Sequence, residues 1–108
     1  MHEVLKKVEQ FGVVPVIKIE DANDAVPLAK ALCEGGLPCA EVTFRTEAAE
    51  AAIQAMREAY PDMLLIAGTV LTKEQADRAV SAGAQAVVSP GFNRKVVDYC
   101  VRKGILIL

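Results

Sequence analysis

The sequence predicts an α/β protein built on a parallel sheet, and three observations point there. Short apolar runs recur about 20 to 26 residues apart along the chain, the spacing of repeated strand-helix units. Those runs are four to seven residues long, too short for helices: VVPVIKI (13–19), CAEVTF (39–44), MLLIAG (63–68), QAVVSP (85–90) and ILIL (105–108). They are also nearly continuous in apolar character rather than strictly alternating, as strands covered on both faces are.

Each element between the runs carries its own punctuation. Residues 3–10 read as a short extra helix before the first strand. From about Asp21 to Glu34 the pattern is helical, but Pro27 would delete a backbone hydrogen bond from a helix begun at Asp21, so a start near Asp24 or a distorted first turn is expected. Thr46 is placed to cap the alanine-rich run that reaches Ala59 and stops before Pro61. Thr72 followed by Gln75 is a capping-box pattern; Ala76, Ala79 and Val80 form the stripe behind it, and Gly83 ends the helix. Asn93 caps the last helix, where Val96, Val97, Cys100 and Val101 share a face ahead of Gly104.

Four β-α units and a fifth strand fit one domain over residues 1–108, with right-handed crossovers. Two closures compete: half of a (β/α)8 barrel, or an open flavodoxin-like sheet of five parallel strands. Composition and spacing do not separate them; the side-chain pattern of the second strand helps. Ala40, Val42 and Phe44 share one face, and Glu41, Thr43 and Arg45 share the other. A polar ladder suits the interior mouth of a barrel better than a sheet buried under helices on both sides.

Composition excludes several classes of partner. With 53% apolar and 24% charged residues the chain is globular rather than disordered. A net charge of -2 with both signs interspersed offers no basic stripe for nucleic acid and no polybasic patch for anionic lipid. No apolar stretch is long enough to span a bilayer and no signal-peptide pattern opens the chain, so a cytoplasmic protein is expected. Cysteines 33, 39 and 100 lack CxxC spacing and the single histidine is His2, so no metal site is expected and the thiols read as small hydrophobes.

Ligands in either architecture bind at the carboxyl ends of the strands, and those ends are polar here. Glu41 belongs to a ladder of functional groups that makes sense facing the mouth of a barrel; the competing reading is a structural carboxylate satisfied by a polar group on a neighbouring strand. Gly68-Thr69 ends the third run, where a glycine admits a ligand to the backbone and a threonine offers hydroxyl and amide donors, or where both serve simple turn chemistry. Ser89-Pro90-Gly91 is a rigid turn after the fourth run, and Lys18 at the end of the first either meets an anion or reaches to water.

Taken together, PVI (15–17), EVTFRT (41–46), AGTVLT (67–72) and GAQAVVSPGFN (83–93), in this order and at this spacing, resemble the 2-keto-3-deoxy-6-phosphogluconate and 4-hydroxy-2-oxoglutarate aldolases over the whole chain. The resemblance implies the N-terminal half of a class I aldolase barrel, an enzyme that joins a lysine to pyruvate as a Schiff base and needs no cofactor. It also implies a trimer of barrels. Glu41 matches the family's acid/base glutamate, Arg45 and Thr69 match residues that hold the keto-acid carboxylate, and Pro90 lies in the family's serine-proline turn. Lys18 stands where many relatives place arginine. Some 13 Å of extended strand, or ~13 Å between backbones, separates Glu41 from Arg45, which favours distinct roles over a mutual ion pair.

The Schiff-base lysine, on the family's sixth strand, and the glycine-rich phosphate turns after the seventh and eighth have no counterpart before Leu108. The fifth strand departs too, reading GILIL where relatives show proline near its start and a Pro-Gly turn after it. Lys6, Lys7, Lys30, Lys73, Lys95 and Lys103 fall on helical or exposed positions and offer no substitute. The expectation is therefore a chain that binds a small keto acid, pyruvate or a sugar-acid phosphate, only if its site survives, and that is inactive alone. It should pair with a missing C-terminal half or with copies of itself; the alternative is a non-catalytic half-barrel or flavodoxin-like scaffold.

Overall fold

The computed structural model describes residues 3–108; His2 lies outside them. Helix α1 (Glu3–Phe11) precedes strand β1 (Val16–Ile17), and then helices and strands alternate: α2 (Ala25–Glu34), β2 (Cys39–Thr43), α3 (Ala49–Ala59), β3 (Leu64–Gly68), α4 (Lys73–Ala82), β4 (Ala86–Val87), α5 (Arg94–Lys103) and β5 (Leu106–Ile107). None of these helices is long and apolar enough to cross a membrane.

Local chemistry explains most boundaries. The distorted start expected before α2 is a 3-10 turn, Ala22–Asp24, in which the Asp21 carboxylate accepts from Asn23 N at 2.9 Å. Pro27 then falls in the first turn of α2, where its missing N–H has no intrahelical partner to lose. Thr72 caps α4 by accepting from Gln75 N at 3.1 Å, and the Gln75 side chain accepts from Leu71 N, one residue earlier than a standard capping box. Asn93 caps α5 through Val96 N, and Gly104 closes it with a φ of 72°. Thr46 does not cap α3. Its hydroxyl donates to Ile19 O on the strand side, and α3 starts at Ala49 without a side-chain cap.

All five strands are parallel and lie in the order β1-β2-β3-β4-β5. This order corrects the flavodoxin-like alternative, which needs the first strand between the second and third. Strands that advance one place each time, always by right-handed crossovers, put α2 to α5 on one face of the sheet. Ile17, Val42, Ala67, Val87 and Ile107 form one row across that face, and they pack with Ala29, Ile53, Met56, Ala76, Ala79, Val96 and Cys100 of the helices. The opposite face carries the row Val16, Glu41, Ile66, Ala86 and Leu106. Its lower part is covered by α1, whose Val4, Val8 and Phe11 join Cys39, Leu64 and Ile66 in a second apolar cluster. This is half of a (β/α)8 barrel: helices outside, a smaller interior surface inside, and free edges at β1 and β5. Cys39 and Cys100 are buried thiols and Cys33 is half-buried; all three are free, and burial pushes Cys39 and Cys100 up from the ordinary thiol range.

The lower rim is held by one side chain. Arg57 of α3 donates from Nη1 to Pro61 O at 2.6 Å and Met63 O at 2.7 Å, and from Nε and Nη2 to Gly83 O at 3.1 and 3.0 Å. Nη2 also reaches Gln85 Oε1 at 3.0 Å, and that same oxygen accepts from Leu65 N. The planar guanidinium thus ties the entry of β3 to the entry of β4. Gly83, at φ 123°, is required there twice over, because a Cβ would also come within 2.7 Å of Arg57 Cγ. Replacing Arg57 with alanine strands several carbonyls and should cost about 2–4 kcal/mol of stability in chemical denaturation. Arg57→Lys should recover little of it, because an ammonium cannot present the same fork.

Candidate active site

The middle row of the interior face is apolar except for Glu41. Val16 and Ile66 flank it on β1 and β3, and neither can hydrogen-bond through its side chain. Among the described residues the Glu41 carboxylate has no hydrogen-bond donor and no ion-pair partner. The reading of Glu41 as a carboxylate satisfied by a neighbouring strand's polar group therefore finds no such group. Burial pushes its carboxyl above the ordinary glutamate range, and the Arg45 guanidinium pulls it partly back.

The next layer toward the carboxyl ends contains Thr43 and Gly68, which face each other in register. Thr43 is buried; its hydroxyl donates to Ile17 O at 3.3 Å and accepts from Arg45 Nε at 3.3 Å. Arg45 is thereby steadied by Thr43 at the rim rather than paired with Glu41. It borders a cleft of about 480 Å³ that also includes Glu50, Gln75 and Arg78; Glu41 is not part of that cleft, and Arg78 is tied to Glu50 at 2.7 Å.

Gly68 does not leave its space to a ligand. The Glu41 carboxylate folds over it, so that a Cβ at Gly68 would overlap Oε2 and lie 2.8 Å from Cδ. Thr69 follows at once, half-buried, with a φ of 55°, the one described non-glycine residue in the left-handed region. A β-branched side chain held there stores strain, which the parallel bond from Val70 N to Val88 O just beyond helps to maintain.

Two expected site residues stand farther out. Lys18 is exposed just past β1, with its ammonium 3.2 Å from Glu20. Pro90 is exposed in the turn after β4; Ser89 beside it donates its backbone N–H to Leu108 O and its hydroxyl to Gly91 O. The geometry thus lays the Glu41 carboxylate over Gly68 at the end of β3, with Thr69 next in the chain, sets Arg45 on Thr43, and leaves Lys18 and Pro90 on the rim. Thr43 is the member that residue-by-residue reading undervalued; its spacing midway between Glu41 and Arg45 on one strand face was the available signal.

The comparisons with known proteins converge. The sequence model for the family "KDPG and KHG aldolase" matches residues 3–108. A 2-dehydro-3-deoxy-phosphogluconate aldolase of Treponema pallidum (strain Nichols) is 53% identical over 108 residues, which are 100% of this chain and 51% of that protein. Its Haemophilus influenzae counterpart is 48% identical over 92% of this chain and 47% of its own length. Among solved structures, the 2-keto-3-deoxy-6-phosphogluconate aldolase of Zymomonas mobilis ZM4 with 3-phosphoglycerate superposes with a TM-score of 0.91 at 39% identity, covering 100% of this chain and 51% of that one. The KDPG aldolase of Legionella pneumophila, with pyruvate captured as a covalent carbinolamine, gives 0.83 at 40% identity over 88% of this chain and 46% of its own. The chain spans about half the length of the relatives it matches.

The raised carboxyl of Glu41 has a sign that can be checked. A folded-state value above the unfolded one supports folding below the ordinary glutamate range and loses that support as pH rises through the folded value. Glu41→Gln should therefore melt above the parent at pH 7, with the margin closing as the pH is lowered to about 4. A margin that does not change with pH across that window would contradict the burial described here.

Proposed function

Because this chain belongs to the KDPG and KHG aldolase family over residues 3–108, we propose that it supplies the N-terminal half of a class I aldolase cleaving 2-keto-3-deoxy-6-phosphogluconate or 4-hydroxy-2-oxoglutarate to pyruvate and an aldehyde. The observation that carries this reading is Glu41, a carboxylate with no hydrogen-bond donor among the described residues, raised by burial, folded over Gly68 and acted on by Arg45.

In this reading a lysine of the complementary half attacks the keto carbon of the substrate. Glu41 protonates the departing hydroxyl of the carbinolamine as water leaves, then takes the proton from the substrate hydroxyl as the carbon-carbon bond breaks. A carboxyl held above its ordinary range can be a donor in one step and an acceptor in the next, which is what such a relay requires. Arg45, steadied by Thr43, and Thr69 fit as anchors for the keto-acid carboxylate, an anion that a guanidinium and a hydroxyl suit. Lys18 and Pro90 would shape the rim. A cytoplasmic setting goes with this reading.

The nucleophile would come from elsewhere. Lys6, Lys7, Lys30, Lys73, Lys95 and Lys103 lie on helices and Lys18 is engaged with Glu20, so no lysine stands on a strand of this sheet. Association supports the same picture. Edge strand β5 has one side unpaired, and beside it Phe92 (83% exposed), Val97, Ile107 and Leu108 line an apolar hollow of about 430 Å³. A complementary half-barrel or further copies of the chain would cover these groups.

Two outcomes are expected. The 108-residue chain alone should release no pyruvate from a keto-deoxy sugar phosphate and should leave no borohydride-trapped pyruvate adduct, whereas release abolished by Glu41→Gln would reveal a working lysine within it, Lys18 first. Mixed with the C-terminal half of a relative such as the Treponema pallidum enzyme, it should gain activity, and Glu41→Gln should lower that turnover by about 10²–10⁴-fold with little loss of stability. A reconstituted barrel that is equally active with glutamine at this position would overturn the assignment.

A further inference from the structure

The geometry points to Gly68 as the positioning residue of Glu41: the absent side chain at the end of β3 is the seat into which the Glu41 carboxylate folds. Its functional meaning rests on the aldolase reading above; its geometry does not.

Gly68 closes β3 on the interior face, buried, and pairs in register with Thr43. Its φ is not in the left-handed region, so the backbone at this position places no demand for glycine. The demand is for clearance. The three atoms nearest to a Cβ built at Gly68 all belong to Glu41: Oε2, which it would overlap, Cδ at 2.8 Å and Cγ at 3.0 Å. Glu41 itself faces Ile66, two residues earlier on β3. Side chains lean along their strand, so a long one at Glu41 reaches the diagonal neighbour, and that neighbour is Gly68.

Any side chain at this position would turn the carboxylate out of its seat. The sheet need not yield, because the atoms in the way are the far end of a flexible side chain. Glycine here thus lets the proton-transfer group lie over the end of β3, where burial raises it and Arg45 acts on it. The charged groups around the seat are few: Arg45 acts on Glu41 from the turn after β2, Lys18 at the end of β1 is paired with Glu20, and Val16 and Ile66 on the flanking strands carry no charge.

The test is a carbon-detected NMR titration of side-chain carboxyls in the full chain, with the Glu41 signal assigned by its loss in Glu41→Gln. In Gly68→Ala the chain should stay folded, and the Glu41 midpoint should fall toward the ordinary glutamate range while other glutamates keep theirs. A Glu41 midpoint that does not move in a folded Gly68→Ala variant overturns the proposal. If Gly68→Ala unfolds, adding Glu41→Ala should restore folding, because the methyl then enters vacated space; a double variant no more stable than the single overturns it equally. Neither readout uses turnover, so failure of the seat and failure of the aldolase reading are separately visible.

Discussion

The winding of the sheet constrains everything else in this molecule. Each strand is laid beside the previous one, always on the same side, by a right-handed crossover, and the helices consequently accumulate on a single face. A doubly wound sheet with the same elements would bury both faces and leave a carboxylate such as Glu41 in a helix interface, where it would need a partner or a proton. Single-sided winding instead gives two unlike surfaces. One is a continuous helix-packed core of mostly small and aliphatic side chains, and the other is a narrower interior that α1 closes from below and that is open toward the carboxyl ends.

Stability and chemistry are thereby assigned to opposite rims. At the lower rim Arg57 spends all its hydrogen-bonding directions on backbone and amide oxygens around the entries of β3 and β4. Burial lowers its pKa from the arginine range while Asp62 nearby offsets that effect, so the charge is held by the carbonyls that face it. At the upper rim the groups are held less completely. Among the described residues Glu41 has no donor, Thr69 sits in a strained conformation, and exposed Arg45 hydrogen-bonds Thr43.

The free edges follow from the same winding. A sheet that advances strand by strand has two ends unless it closes, and β1 and β5 are those ends here, with Val13, Val16, Phe92 and Leu108 exposed near them. The relatives this chain matches are about twice as long. The Ser89–Leu108 and Val87–Leu108 backbone bonds continue the pairing of β4 with β5 to Leu108.

By itself the sequence determined the elements and the chemistry they carry. Strand runs, Thr72 and Asn93 as caps, the awkward Pro27 turn, and the one-faced spacing of Glu41, Thr43 and Arg45 are local facts, set by backbone sterics, hydrogen-bonding capacity and the two-residue strand period. Strand order was not among them, because equal β-α units are compatible with either a half-barrel or a doubly wound sheet; only long-range pairing distinguished the two. Thr46 illustrates the limit: a hydroxyl suited to capping α3 instead satisfies Ile19 O, a group 27 residues away that no local pattern places beside it. Gly68 illustrates it again. Its sequence neighbours suggested room for a ligand, but the occupant is a carboxylate from another strand, and a contact between strands depends on register, which exists only once the sheet has formed.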